Sequence, residues 1–260
     1  VNIISYNKMG GTALDSFTRI PDSILLDFIK NNRSKFGTDT GIFQKALRLF
    51  DPIVIKKLEF IKLYPDLFIS FWTFSHQIVY SRLFEPDTLL QFYNTILSDR
   101  YKNYKASKFL VSLIRNKIAL KTGGSFPDFS VTDINNNRIE LSKLKGKFVL
   151  IQFWASWCRP CIAEMPDLRA INEKYRQTDF TLVSFSIDKD RGKFQQAIER
   201  YSMNWIQVFG NNRLFDSLGE RRVPALYLID KNGHIIYNRD TTKDFDMILL
   251  KKILSEKLNK

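Results

Sequence analysis

The stretch FVLIQFWASWCRPCIAEMPDL, residues 148–168, decides the fold of this chain. It begins with an almost continuous apolar run, Phe148–Trp154, which predicts a central strand covered on both faces. Cys158 and Cys161, the only two cysteines of the protein, follow at once. A helix interrupted by one proline is predicted from Arg159 to about Tyr175. A C-x-x-C pair between a buried strand and a helix is typical of a redox-active dithiol.

The predicted position of Cys158 at the start of a helix favours a thiolate. Free N–H groups and the helix dipole stabilise an anion there, and in such motifs the pKa of a thiol falls from about 8.5 to roughly 3.5–7.5. Arg159 adds a positive charge that acts in the same direction, while Pro160 fits the first helical turn because its missing N–H has no role there. We therefore predict that Cys158 is the exposed attacking thiolate and that Cys161 resolves the mixed disulfide.

The cysteine pair has two other interpretations, a structural disulfide and half of a zinc site. A staple that closes so small a loop gains little loop entropy. Zinc needs about four ligands, and the only histidines, His76 and His234, lie in different halves of the chain without metal-type spacing. Both interpretations are disfavoured, and no metal site is predicted.

Glu164 lies three residues after Cys161, so a helix places both side chains on one face. A carboxyl group partly buried behind the motif could take or give the proton that Cys161 must exchange. On spacing alone, an exposed surface glutamate is an equally good interpretation.

Composition favours an ordered globular protein with a basic surface. Hydrophobic residues make up 44% and aromatic residues 14% of the chain, which argues against disorder. The net charge of +13 is spread over both halves, and no basic run or groove-entering motif predicts nucleic-acid binding. No apolar run approaches the ~20 residues that span a bilayer, and no signal-like segment follows Val1, so the amino end does not indicate a location.

The N-terminal half is predicted to be an all-α domain, residues 1–121, with residues 1–20 irregular. The pattern is helical from Pro21, which offers a cap, to Lys121. Helices are predicted over residues 24–29, 42–50, 53–63, 66–80, from Pro86, and over 105–121, with Asp51-Pro52 ending the second. The aromatic side chains of Phe68, Phe71 and Trp72 are predicted to pack in a core, with a binding surface as the alternative.

Beyond Gly123-Gly124 the pattern changes to short strands alternating with helices, which predicts an α/β domain over residues 122–260. Residues 129–131 and 138–141 are predicted to form a hairpin. Further strands are predicted over residues 180–187, 205–209, 225–229 and 234–237, with helices near 192–202 and 214–218. A closing amphipathic helix is predicted, with Phe245, Ile248, Leu249 and Ile253 as its apolar residues.

Residues 148–168 resemble the active-site segment of the TlpA/ResA-like thiol–disulfide oxidoreductases, extracytoplasmic members of the thioredoxin superfamily. The resemblance continues over about residues 123–260. Residues 125–129 and 144–147 resemble the opening hairpin of that family, 183–190 its second core strand, 222–230 its cis-proline strand and 231–233 the following turn. The helical half is similar to regions that precede this domain in some envelope-anchored bacterial relatives, which places no site residues.

The resemblance implies a thioredoxin-like fold, a mixed sheet flanked by helices with an N-terminal β-hairpin. It implies Cys158 as nucleophile, Cys161 as resolving thiol and Glu164 as the carboxylate that assists proton transfer beneath them. It implies a cis Pro224 and a substrate-binding surface formed by Trp157, Arg159, Pro160, Val223 and Pro224. Gln152 departs from the pattern because thioredoxin has a buried aspartate there, and Arg159 lies at a variable position.

The implied function is an extracytoplasmic reductase of disulfides in partner proteins, located in the cell envelope or periplasm. No cofactor beyond the cysteine pair is implied, and the partners would be protein thiols or disulfides and an upstream electron donor. Membrane anchoring is compatible with the family but not visible in the sequence. The alternatives are a thiol peroxidase, for which the segment before Cys158 lacks the P-x-x-x-T/S-x-x-C pattern, and an interaction module whose helical half docks partners.

Overall fold

The computed structural model describes residues 10–35, 40–81, 83–210, 212–220 and 222–259. The chain forms two compact units that divide after Ile118. The described helices of the first unit are α1 (Gly11–Asn31), α2 (Thr40–Leu63), α3 (Phe68–Thr73) with a π-helical continuation (Phe74–Ile78), α4 (Pro86–Thr95), α5 (Asp99–Lys102) and α6 (Lys105–Ala119). The first unit is therefore helical, as predicted.

Two prolines lie inside helices of the first unit, although the sequence predicts a helix start near Pro21 and a helix end at Pro52. Pro21 is in the middle of α1, and Pro52 is in the middle of α2. An interior proline removes a backbone hydrogen bond and costs about 3 kcal/mol. Burial offsets this cost, because Leu14 before Pro21 packs in one cluster with Phe60, and Val54 after Pro52 is also buried.

The prediction of irregular structure over residues 1–20 is wrong for residues 11–20, which belong to α1. Leu14, Phe17 and Thr18 recur at helical spacing there, and Leu14 and Thr18 are buried. Polar residues surround these few apolar positions, so the helical period is weak in the sequence. Residues 1–9 lie outside the described part of the chain.

A second apolar cluster fills the rest of the helical unit and contains Phe71, Phe74, Leu89, Tyr93 and Leu113. The predicted aromatic stripe is divided, since Phe71 is buried, Trp72 is half-buried and Phe68 is exposed. Helix α6 packs through Leu110, Leu113 and Ile114, its buried apolar side chains, while Phe109 is exposed.

The second unit is an α/β domain. Its described strands are β1 (Ser130–Thr132), β2 (Arg138–Glu140), β3 (Phe148–Trp154), β4 (Phe180–Ser186), β5 (Ile206–Phe209), β6 (Ala225–Ile229) and β7 (Ile235–Asn238). Its described helices are α7 (Arg159–Tyr175), α8 (Arg191–Arg200), α9 (Asn212–Ser217), α10 (Arg239–Thr242) and α11 (Ile248–Leu258), with a 3₁₀ turn at Leu141–Leu144.

The main sheet has the strand order β5-β4-β3-β6-β7, with β3 at its centre. The β3–β4 and β4–β5 pairs are parallel, whereas β3–β6 and β6–β7 are antiparallel, so the sheet is mixed. Strands β1 and β2 form a separate antiparallel hairpin. Every residue of β3 is buried, as expected for a strand with neighbours on both sides and layers on both faces.

Side chains alternate along β3 between two apolar clusters, one on each face of the sheet. Leu150 and Trp154 belong to the cluster that contains Cys158 and Cys161. Val149, Ile151 and Phe153 belong to the other cluster. The cysteine pair therefore rests on one of the two layers of the core.

The closing helix was predicted correctly, but its buried face was not. Leu250 and Leu254 of α11 are fully buried, while Ile248 and Leu249 are exposed. Asp244 causes this orientation, because its carboxylate accepts hydrogen bonds from the backbone N–H groups of Leu249 and Leu250 at 3.1 and 2.9 Å. Across the described residues, no helix is both long enough and apolar enough to cross a membrane.

The glycine pair after α6 allows the chain to join the sheet. Gly123 N donates to Ile235 O and Ile235 N donates to Gly124 O, at 2.8 and 2.7 Å. A Cβ atom on Gly124 would lie 1.9 Å from the carbonyl oxygen of Ala119. Only glycine fits this close approach of two backbone segments.

Candidate active site

The turn between β3 and α7 fixes the position of the cysteine pair. Cys158 caps the helix, with its backbone N–H donating to Ala155 O and its carbonyl oxygen accepting from Ile162 N, both at 3.0 Å. The strand before the turn is fully buried, so the turn starts from a rigid support. The sequence predicted these elements because each depends on residues within a few positions.

Cys158 and Cys161 form a disulfide, with their Cα atoms 5.2 Å apart. The backbone N–H of Cys161 points to Cys158 Sγ at 3.2 Å, so the sulfur takes the place of a capping side chain. The expected exposure of Cys158 is not found, since it is 4% exposed and Cys161 is 0% exposed. Both cysteines belong to the apolar cluster beneath the turn, which explains the difference from the prediction.

A buried aspartate that the sequence analysis missed holds the turn from the neighbouring strand. Asp188, which follows β4 and is 3% exposed, accepts from Ser156 N and Ser156 Oγ, both at 2.8 Å. The hydroxyl of Ser186 donates to the same carboxylate at 2.7 Å. Parallel pairing of β3 with β4 brings the carboxyl ends of both strands to one edge of the sheet. This tertiary arrangement is not visible in the local pattern around Asp188.

Glu164 is buried one turn beyond Cys161 and is held by Arg239. Arg239 Nη1 donates to Glu164 Oε2 at 2.8 Å, and Nη2 donates to Oε1 at 2.5 Å. The guanidinium is itself fixed, because Nη2 also donates to Phe245 O at 2.8 Å and its carbon lies 5.6 Å from the Phe245 ring. The carboxylate in the site is thus one half of a buried, two-pronged ion pair.

The electrostatics of this pair are set by burial and by nearby acids. Burial alone would lower the pKa of the Arg239 guanidinium, but the charge and hydrogen bonds of Glu164, with Tyr237 and Asp240, raise it above its usual value. Burial, followed by the charge of Asp244, raises the pKa of the Tyr237 hydroxyl, which donates to Asp244 Oδ2 at 3.1 Å. Arg239 therefore stays a cation and Tyr237 stays neutral at physiological pH.

A row of neutral polar side chains crosses the sheet on the face of the cysteine pair. Gln152, Ser184 and Gln207 are aligned neighbours on β3, β4 and β5, and all are buried. Ser184 Oγ donates to Gln152 Oε1 at 2.7 Å and accepts from Trp205 Nε1 at 2.8 Å. The site thus has no carboxyl group at Gln152, and Glu164 is the buried acid near the cysteines on α7.

The expected substrate-binding residues lie at the same edge of the sheet. Trp157 is 65% exposed and Arg159 is also exposed, while Pro160 is half-buried. Strand β6 pairs with β3 so that Ala225 lies opposite Phe153. This register brings the residues before Ala225, Val223 and Pro224, to the end of β3 from which the cysteine turn leaves, and the peptide bond between them is cis.

No group of three or more His, Cys, Asp or Glu side chains converges on a point where it could hold a metal ion, within the part of the chain that the structure describes. Among the described residues, the site contains the two cysteine sulfur atoms, the Glu164 carboxylate paired with Arg239, and buried polar side chains around them.

Comparisons with known proteins agree with this geometry. The sequence model of the Redoxin family matches residues 121–245. The thiol–disulfide oxidoreductase ResA of Bacillus thuringiensis is 29% identical over 122 residues, which are 46% of this chain and 70% of that protein. By these matches the second unit is similar to the TlpA/ResA-like proteins of the thioredoxin superfamily. The predicted family and fold are confirmed.

Two further relatives belong to the same group of thiol–disulfide proteins. ResA of Bacillus subtilis is 27% identical over 126 residues, covering 48% of this chain and 70% of the relative. The solution structure of a thiol:disulfide interchange protein from Bacteroides sp. has 26% identity and a TM-score of 0.47, and covers 55% of this chain and 93% of that protein. The TlpA/ResA-like domain is an oxidoreductase of the thiol–disulfide type.

Proposed function

We propose that the protein reduces disulfides of partner proteins through Cys158 and Cys161, by way of a mixed disulfide. The observation that carries the proposal is the disulfide at the first turn of α7, with Cys158 as the helix cap. A thiolate released at this position is stabilised by the free N–H groups of the helix and by its dipole. Cys161 is fully buried, so an incoming chain meets Cys158 first.

The proposed reaction has two exchange steps. In the reduced protein the Cys158 thiolate attacks one sulfur of the partner disulfide, forms the Cys158–partner bond and releases the other partner sulfur as a thiolate. Cys161 then loses its proton and attacks Cys158 Sγ, which forms the intramolecular disulfide and releases the second partner thiolate. Glu164 is the proposed acceptor of the Cys161 proton, because it lies one helical turn away. Both electrons come from the cysteine pair, so the proposal needs no bound cofactor.

The edge around the cysteines supports a polypeptide as the substrate. Trp157 offers a large exposed apolar side chain next to Cys158. The backbone at Val223 can pair with an extended substrate strand, as sheet edges do in peptide recognition. We propose that Trp157, Arg159, Pro160, Val223 and Pro224 form this contact surface.

We also propose that the protein acts outside the cytoplasm, in the cell envelope, with an upstream donor that returns Cys158 and Cys161 to the dithiol. Stable exchange of partner disulfides suits such compartments, where disulfides persist. Cysteine use is consistent with this, because both cysteines of the chain are joined in the one disulfide.

The test is reduction of an insulin disulfide by dithiothreitol, catalysed by the full chain. We expect catalysis by the wild type, no catalysis by Cys158→Ser, and accumulation of a covalent insulin adduct with Cys161→Ala. Retained catalysis by Cys158→Ser would overturn the proposal. Peroxide consumption that survives Cys161→Ala and exceeds insulin reduction would favour the thiol peroxidase instead.

A further inference from the structure

We propose that Arg239 is a positioning residue for Cys161 oxidation, because it holds Glu164 as an oriented carboxylate beneath the cysteine pair. The inference rests on the proposed function and adds a residue that comes from the far end of the sheet. Arg239 begins α10, directly after β7, and lies 75 residues from Glu164 in sequence.

The contact between Arg239 and Glu164 fixes the orientation of the Glu164 carboxylate. Two guanidinium nitrogens each donate to a different oxygen of Glu164, at 2.8 and 2.5 Å. A two-pronged arginine contact fixes the plane of a carboxylate as well as its charge, which a single ammonium group does not do. The third contact, from Nη2 to Phe245 O, stops the guanidinium from following the carboxylate if the latter moves.

Because the contact is buried, it determines whether Glu164 is ionised and can accept a proton. The side chains of Arg239 and Glu164 are 3% and 7% exposed. A carboxyl group in such a place strongly favours its neutral form unless an opposite charge lies beside it. Arg239 supplies that charge, so Glu164 remains able to accept a proton at neutral pH.

Helix geometry connects the pair to the reaction. Glu164 follows Cys161 by three residues on α7, so their Cβ atoms are about 5–6 Å apart. In the resolving step Cys161 must give up a proton before its sulfur attacks Cys158 Sγ and displaces the partner thiolate. An ionised Glu164 takes that proton, whereas a protonated one does not.

The other charged and titratable groups around the pair leave this assignment in place. Tyr237 on β7 is neutral, because burial raises its pKa, and it donates to Asp244. Asp244 accepts from the first turn of α11, and Asp240 on α10 adds a negative charge that acts on Arg239. Among the described contacts, Arg239 donates to both oxygens of Glu164, and Cys161 precedes Glu164 by one turn of α7.

The experiment separates the two exchange steps in the full-length reduced protein with Ellman's reagent. Attack by Cys158 releases one equivalent of thionitrobenzoate, and resolution by Cys161 releases a second. We expect Arg239→Gln to leave the first phase near the wild-type rate and to slow the second phase roughly 10- to 100-fold near pH 7. The second phase should recover at alkaline pH, with its midpoint raised by at least about one pH unit.

Three variants distinguish positioning from a structural effect. In a Glu164→Gln background, Arg239→Gln should have no further effect on the second phase, since the carboxylate it acts on is gone. The second phase of Arg239→Lys should be faster than that of Arg239→Gln but slower than that of the wild type, because lysine keeps the positive charge and loses the two-pronged contact. The exposed Arg169→Gln, on α7, is the matched control and should behave like the wild type.

Each outcome decides a different question. An unchanged second phase in Arg239→Gln, or equal slowing with and without Glu164, would overturn the role of Arg239. If Arg239→Gln does not fold, Arg239→Lys carries the test, and a wild-type second phase in that variant overturns the inference. Absence of a Cys158-dependent first phase in the wild type would instead overturn the proposed function.

Discussion

Replacing Asp188 tests whether the cysteine turn is held from the neighbouring strand. Its carboxylate accepts three hydrogen bonds, two from Ser156 and one from Ser186, at 2.7–2.8 Å. A hydrogen bond to a charged group contributes about 1.5–3 kcal/mol. The three bonds share one carboxylate, so their effects are not additive. We expect Asp188→Ala to lower the free energy of unfolding by about 3–5 kcal/mol.

Asp188→Asn should cost less, about 1–2 kcal/mol. An amide keeps an acceptor at Oδ2, where the Ser156 N–H and the Ser186 hydroxyl donate, and places a donor at Oδ1, where the Ser156 hydroxyl can rotate to accept. The geometry is therefore preserved and mainly the charge is lost. These contacts therefore predict that the free energy of unfolding decreases from the wild type to Asp188→Asn to Asp188→Ala.

The assay is urea unfolding of the oxidised protein followed by tryptophan fluorescence, which reports mainly on the second unit because three of the four tryptophans lie there. With a slope of about 2 kcal/mol/M, a loss of about 4 kcal/mol lowers the midpoint by about 2 M. The exposed Glu173→Gln on α7 is the control. An Asp188→Ala midpoint within about 0.3 M of the wild type, or equal losses for Ala and Asn, would refute the reasoning.

Three other outcomes are expected. Burial raises the pKa of the Tyr237 hydroxyl, so the neutral form stabilises the fold below about pH 10. This contribution is lost as the pH rises further. In the wild type the urea midpoint should therefore fall between about pH 9 and pH 11, and Tyr237→Phe should make that fall smaller. Trp157→Ala should reduce kcat/KM for insulin by roughly tenfold or more, yet leave the Ellman first phase unchanged; equal losses for both substrates would contradict a role in protein binding. Ser184→Ala should lower the free energy of unfolding by about 1–3 kcal/mol, since it leaves Gln152 Oε1 without its donor in the buried row, and an unchanged urea midpoint would contradict this.

The sequence was most informative where structure depends on neighbouring residues. The bounds of β3 and α7 agree with the prediction, because a continuous apolar run and a helix start around the cysteines are local signals. The fold of the second unit followed from the same stretch together with the segments that resemble the family.

The errors arose where tertiary contacts override a local signal. Pro21 and Pro52 are strong helix breakers, but apolar packing along α1 and α2 outweighs the lost hydrogen bonds. The buried face of α11 was misassigned because apolar residues occupy several faces and the cap at Asp244 selects one of them. No periodicity or propensity marks Asp244 for that role.

Two residues of the site could not be found in the sequence at all. Asp188 and Arg239 meet their partners across 32 and 75 residues, respectively, and only the pairing of β3 with β4 and the docking of the segment after β7 bring them there. A charged residue within two positions of the end of an apolar strand is a weak signal for such a role, because exposed strand ends carry charged residues too.

These long separations give the chain an order of assembly. The bond between Cys158 and Cys161 spans three positions and can close in a nascent, unfolded polypeptide, whereas the acid and the guanidinium that shape its surroundings arrive only with native topology. Folding and electron transfer are consequently linked in a thermodynamic cycle. The disulfide and dithiol forms must differ in conformational stability by the same free energy that separates the reduction potentials of the native domain and the unfolded chain.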